Sequence, residues 1–196
     1  RLFRSAETIP GLTWPNGVFQ GQMTLWLGKR EGRIVHAGRG HTKGDTVAWL
    51  PAERVLFSGD LVEHGATPYC GDAHLADWPA TLDRLVALDA RALVPGRGAA
   101  LTTPEQVREG IEGTRAFLAD LFRIAREGVA AGQSLKQVHD RAMAELRPRY
   151  GHWVIFEHCM PFDVARAWDE AGGIEHPRIW TAARDLELWR ALERDG

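Results

Sequence analysis

Cysteine, tyrosine and methionine are scarce in this chain: two, two and three of its 196 residues. With only Cys70 and Cys159, no disulfide framework is available, and two isolated thiols read as reduced and buried, which sets the expectation of a cytoplasmic protein. Charge of one sign is lacking as well. The 24 Lys and Arg against 26 Asp and Glu leave a net charge of −2, which removes the electrostatic case for a nucleic-acid or anionic-membrane partner. No apolar run reaches membrane-spanning length, and no signal peptide is legible. Repeats and low-complexity tracts are absent too.

What is present is ordinary globular composition, 44% hydrophobic and 26% charged, in a length that suits one domain or one domain with an appendage. Eight tryptophans, spread from Trp14 to Trp189, imply a large core or a substantial interface.

The first half reads as strands and turns. Thr13-Trp14-Pro15-Asn16-Gly17 is a turn, Met23–Leu27 a strand, Gly28–Gly32 a hairpin connection and Arg33–Ala37 the returning strand. Thr46–Leu50 and Arg54–Phe57 form a second pair around Pro51-Ala52-Glu53. A short helix over Pro79–Leu88 and a strand at Ala92–Val94 then suggest an α/β layer. From about residue 103 the texture is helical. Thr103-Pro104-Glu105-Gln106 opens one helix, and Val107, Ile111, Thr114, Leu118, Leu121 and Ala125 trace its apolar face. Ser134-Leu135-Lys136-Gln137 opens a second, which Pro148 is expected to end; two more are expected at Pro161–Ala171 and, capped by Thr181, at Ala182–Leu192.

Chemistry concentrates between residues 38 and 60. His41 sits among glycines, which let a bound group approach the backbone. Imidazole is a good zinc ligand, provided that its second nitrogen has a partner to fix the tautomer. Asp60 follows the apolar run Val55-Leu56-Phe57 and the pair Ser58-Gly59, at the carboxyl end of a strand, where α/β sites gather. Taken singly, His41 also reads as a polar turn residue and Asp60 as a turn cap. Other residues with chemistry are His64, Tyr69, Cys70 and Asp72 in the loop after Asp60, and His152, His158 and Cys159 around Trp153–Phe156; the latter group reads mainly as packing.

Gly40-His41-Thr42-Lys43-Gly44-Asp45 followed by Phe57-Ser58-Gly59-Asp60 resembles the second half of a metallo-β-lactamase-fold hydrolase, over roughly residues 12–100. The resemblance implies an α/β fold: the second ββα half of an αββα sandwich over 1–100, followed by an all-helical extension over 101–196. It implies that His41 and Asp60 are metal ligands, with Asp45 supporting them, and that zinc is the cofactor, as one or two ions in the intact protein. The implied reaction is hydrolysis of an ester, lactone, amide or thioester in a small-molecule substrate by metal-bound hydroxide.

Two departures stand out. The family's His-x-His-x-Asp-His cluster is absent, since histidines 36, 41, 64, 74, 139, 152, 158 and 176 include no pair spaced by one residue. The chain therefore reads as the carboxyl-terminal part of a longer protein, weak in zinc binding and in hydrolysis by itself. Val94-Pro95-Gly96-Arg97-Gly98 stands where the family has Pro-Gly-His-Gly, so Arg97 replaces a ligand of the second metal. A guanidinium stays protonated and offers no lone pair, so Arg97 disfavours that ion and attracts an anionic group instead. The alternative class is a non-catalytic assembly module, because a half-fold leaves a sheet face and edge open to a second copy or to the missing half.

Overall fold

The computed structural model describes residue 15 and residues 17–193, so the turn expected at 13–17 lies largely outside the described residues. The fold is mixed α/β. A five-stranded sheet is built from β1 (Gln22–Leu27), β2 (Arg30–Val35), β3 (Val47–Leu50), β4 (Val55–Gly59) and β5 (Ala92–Pro95), lying side by side in chain order. The first three pairings are antiparallel; β4 and β5 are parallel, joined through α1 (Trp78–Val86). Gly28-Lys29 makes the first connection in two residues, so β2 begins earlier than expected, and Gly28 supplies the positive φ of 65° that a tight hairpin needs.

Pleating sorts the strand residues onto two faces. One cross-strand row runs Thr24, Arg33, Trp49, Leu56 and Leu93, and its last three members are buried in the core with Trp78, Leu82 and Leu85 of α1. The next row, Met23, Ile34, Ala48, Phe57 and Val94, points the other way and is as apolar. None of its five members is buried, and Phe57 remains 42% exposed.

Four helices follow: α2 (Pro104–Ala130), α3 (Leu135–Tyr150), α4 (Phe156–Ala171) and α5 (Ala182–Glu193). The apolar stripe expected on α2 is buried, from Val107 and Ile111 through Phe117 and Leu118 to Ile124 and Ala125. Each fully buried side chain of this size stabilises the fold by about 1.5–3 kcal/mol. Ser134 and Gln137 form the reciprocal cap expected at α3. At α2, Thr103 accepts from the Gln106 amide, but Gln106 reaches one residue further back, to the Thr102 amide. Thr181 caps α5 through the Arg184 amide.

Two proline expectations are corrected. Pro148 does not end α3, which continues to Tyr150; Tyr150 is buried against Phe117 and Trp153, and that packing holds the last turn. Pro161 does not open α4 but lies inside it. The helix begins at Phe156, after Ile155 in a left-handed conformation. An interior proline costs about 3 kcal/mol, and burial of Phe156, Cys159 and Met160 in the preceding turns offsets it.

The segment 61–76 joins the sheet to the helices. Thr67 and Val154 exchange backbone contacts, with Val154 donating to Gly65 and Thr67 donating to Val154, both at 3.0 Å. Glu170 accepts from the Leu75 and Ala76 amides, and Arg166 donates to the Ala73 carbonyl. Among the described residues no helix is long and apolar enough to cross a membrane.

Candidate metal-binding site

The site lies where the loop between β2 and β3 meets the carboxyl ends of β4 and β5. The Gly40 carbonyl accepts from the His74 amide, and a Cβ at Gly40 would come within 2.4 Å of Leu61 and 3.1 Å of Trp78. A side chain at Gly40 would thus displace Leu61 and crowd Trp78 beside His41. The His41 ring then rests edge-on against Tyr69 and Trp78, with centroids at 6.3 and 6.1 Å.

Asp45 closes the loop on itself by accepting from the Thr42 amide at 2.8 Å and from the Thr42 hydroxyl at 2.6 Å. Its carboxylate faces Nδ1 of His41 at 3.7 Å. On the other side of the ring, Nε2 faces Oδ2 of Asp60 at 3.8 Å. A carboxylate at Nδ1 favours the proton there and leaves the Nε2 lone pair directed at Asp60. Burial lowers the His41 pKa, but Asp45, Asp60 and Glu63 raise it by more, and the net shift is upward. Burial raises Asp45, yet its contacts with His41 and Thr42 win and hold it below the usual carboxylate range.

Arg97 sits on the far side of Asp60, with Nη1 3.8 Å from Oδ1 and 2.6 Å from Oε1 of Glu63. Thus His41, Asp45, Asp60 and Arg97, chosen from the sequence, are brought together. His152 and His158 are not part of this group; their rings pack on Trp153 and Phe162. Cys70 and Cys159 are both free and buried. Burial, with the Asp163 charge adding and Arg97 opposing, pushes the Cys159 thiol up to about 12, so it is no nucleophile at neutral pH.

Sequence reasoning passed over Glu63. Its side chain is fully buried, and its backbone is clamped by the Thr114 hydroxyl of α2, which accepts from the amide and donates to the carbonyl. Its local context, a carboxylate after the apolar pair Leu61-Val62, does not reveal that burial. Burial pushes Glu63 up to about 7, against the pull of Arg97 and with the charge of Asp60 adding to the rise. Its folded pKa thus exceeds the ordinary 4.5, so its contribution to stability is present below 4.5 and is lost as pH rises through about 7. Thermal unfolding at pH 5 and pH 8 will show a smaller loss in Glu63→Gln than in the unsubstituted chain; equal losses would contradict this assignment.

Does the donor set suit a metal ion? Two zinc bonds, to a His nitrogen and a carboxylate oxygen, are each about 2.0–2.2 Å long, so a gap of 3.8 Å between Nε2 and Oδ2 suits one shared ion. In kind and spacing His41 and Asp60 fit. In number they do not, since zinc sites use three or four protein ligands and no group of three metal-ligating side chains is gathered among the described residues.

The model of the metallo-beta-lactamase superfamily matches residues 6–97. A metallo-beta-lactamase type 2 of Bacteroides fragilis is 34% identical over 93 residues, which are 45% of this chain and 37% of that protein. The type 2 enzyme of Pseudomonas aeruginosa is 31% identical over 71 residues, 36% of this chain and 29% of that protein. Among solved structures, a metallo-beta-lactamase from Pontibacter korlensis aligns at a TM-score of 0.42 and 26% identity, covering 50% of this chain and 49% of that one. Over residues 6–97, just under half of its length, the chain is similar to the metallo-beta-lactamase superfamily. It spans about a third of the length of these curated relatives.

Proposed function

We propose that the chain is part of a zinc-dependent hydrolase acting on an ester, lactone, amide or thioester of a small molecule, and that it contributes some of the metal ligands. The observation that carries this reading is the His41–Asp60 pair, 3.8 Å apart, with Asp45 behind the imidazole. His41 and Asp60 would hold part of the zinc coordination, and the ion would supply Lewis acidity and a bound water of pKa roughly 7. The chain's own residues do the rest. Asp45 keeps the His41 tautomer, Gly40 and Gly59 leave room at the backbone, and Arg97 offers an anionic group of the substrate its Nε and Nη2, which have no partner among the described residues.

Donors beyond His41 and Asp60 come, in this reading, from outside the described residues. The apolar row of Met23, Ile34, Ala48, Phe57 and Val94, of which Met23 and Phe57 are exposed among the described residues, supports docking of a further layer on that face. Calorimetry on the 196-residue chain is expected to give micromolar or weaker zinc binding, with generic ester turnover at background. Nanomolar binding together with ester turnover would contradict the division of ligands proposed here.

A further inference from the structure

A cleft of about 390 Å³ opens between α4 and α5, large enough for a small ligand. Each helix gives it one face, built at spacings of three and four. Leu188 on α5 is buried beneath it, and Pro161 and Phe162 on α4 and Leu192 on α5 are half-buried, so the floor is apolar. Trp189 lines it too and remains 55% exposed, an apolar surface that packing among the described residues does not cover.

The charges along this cleft are acidic. Glu157, Asp185 and Glu193 are exposed carboxylates on its lining, and His158 is the only basic side chain beside them. Glu157 is paired with Arg147 at 2.9 Å, whereas the carboxylates of Asp185 and Glu193 have no cationic partner among the described residues. Asp185 and Glu193 lie one turn before and one turn after Trp189, on the same side of α5. A tryptophan face attracts a cation through its ring quadrupole, and neighbouring carboxylates add to that attraction. The nearby Trp180 already uses its face in this way, with the Arg184 guanidinium 4.1 Å from the ring centroid. Trp189 has no such cation over it among the described residues. An anion would be repelled here, and a neutral molecule would gain only from the apolar floor.

We propose that this cleft binds a small organic cation, its charged end on Trp189, Asp185 and Glu193 and its apolar body on Leu188, Pro161 and Phe162. Charge complementarity selects the occupant, since the apolar floor alone would accept a ligand of any charge. The cleft is distinct from the His41–Asp60 pair but joined to it through rings. Phe162 packs on Tyr69, and Tyr69 on His41, with centroids 5.9 and 6.3 Å apart. The proposal needs no metal ion and does not rest on the hydrolase reading.

Calorimetric titration of the full chain with benzyltrimethylammonium tests it, with benzyl alcohol and phenylacetate as the neutral and anionic counterparts and nitrogen-15 NMR of the Trp189 indole to place the ligand. The cation is expected to bind most tightly and phenylacetate least, the indole resonance to move with the cation, and added salt to weaken its binding. Trp189→Leu keeps an apolar surface without the ring face, and affinity for the cation is expected to fall about 3–10-fold. Asp185→Asn with Glu193→Gln is expected to narrow the preference for the cation over benzyl alcohol. All three positions are exposed, and melting curves establish that the variants are folded. Absence of cation binding, equal affinity for cation and alcohol, tighter binding of phenylacetate, or unchanged affinity in Trp189→Leu overturns the proposal. So does a Trp189 resonance that moves with protein concentration alone, which would mean that a second copy covers the cleft.

Discussion

Arg166→Met is expected to destabilise the chain by about 3–5 kcal/mol, the cost of removing one partner from a buried ion pair. Arg166 lies in the middle of α4 with no exposed side-chain surface. Nε donates to the Ala73 carbonyl at 2.7 Å, Nη1 to Ile174 at 2.8 Å, and Nη2 to Glu170 Oε2 at 2.7 Å and to the Glu175 carbonyl at 2.8 Å. Methionine fills a similar volume but satisfies none of these acceptors. Glu170 keeps the Leu75 and Ala76 amides, so the loss falls mainly on the three carbonyls and on the anchoring of segment 61–76. Urea unfolding with amide exchange measures both effects. Loss of protection at residues 73–76 is expected together with the fall in stability; a change below about 1 kcal/mol, within the range of an exposed pair, would contradict the account. The exposed network of Arg123, Glu127, Arg141 and Glu145 gives the contrast. Arg123→Met should change stability far less, because water already solvates those charges.

The consequence is functional. The helices hold the segment that follows Asp60, so the site is shaped by residues far along the chain. Thr114 on α2 clamps Glu63, Glu63 locks Arg97, and Arg97 faces Asp60.

Much of this was legible in the residues. His41, Asp45, Asp60 and Arg97 come together because short loops at adjacent strand ends carry them, and glycines mark where those loops touch. The strands followed from their alternation and turns, and the α2 face from its spacing of three and four. Glu63 was not legible. A lone glutamate after two apolar residues carries no signal of burial, which depends on Arg97, 34 residues later, and on Thr114, 51 residues later. The proline boundaries failed for a related reason. Local backbone rules place helix ends at Pro148 and Pro161, but packing of Tyr150 and Phe156 against distant partners outweighs them. Nor does a strand pattern say which of two apolar faces is the more deeply buried; among the described residues it is the face of Trp49, Leu56 and Leu93.

The second large effect concerns the ligands. His41→Ala and Asp60→Ala are each expected to reduce zinc affinity by more than Asp45→Asn does, and loss of a residue that orients a metal-binding histidine costs about 10–100-fold. Asp45→Asn retains a group to accept from Thr42 but no longer a carboxylate at Nδ1. The ordering follows from geometry, since His41 and Asp60 would touch the ion directly and Asp45 acts through the imidazole.

The most direct measurement is zinc titration of the chain with nitrogen-15 NMR of its eight histidines. The account predicts that the Nε2 resonance of His41 moves with added zinc, that Nδ1 keeps its proton facing Asp45, and that Asp60→Ala removes the response. If zinc binds while His41 Nε2 stays unmoved, or if His41 responds equally in Asp60→Ala, the pair is not a metal site and the hydrolase reading loses its foundation.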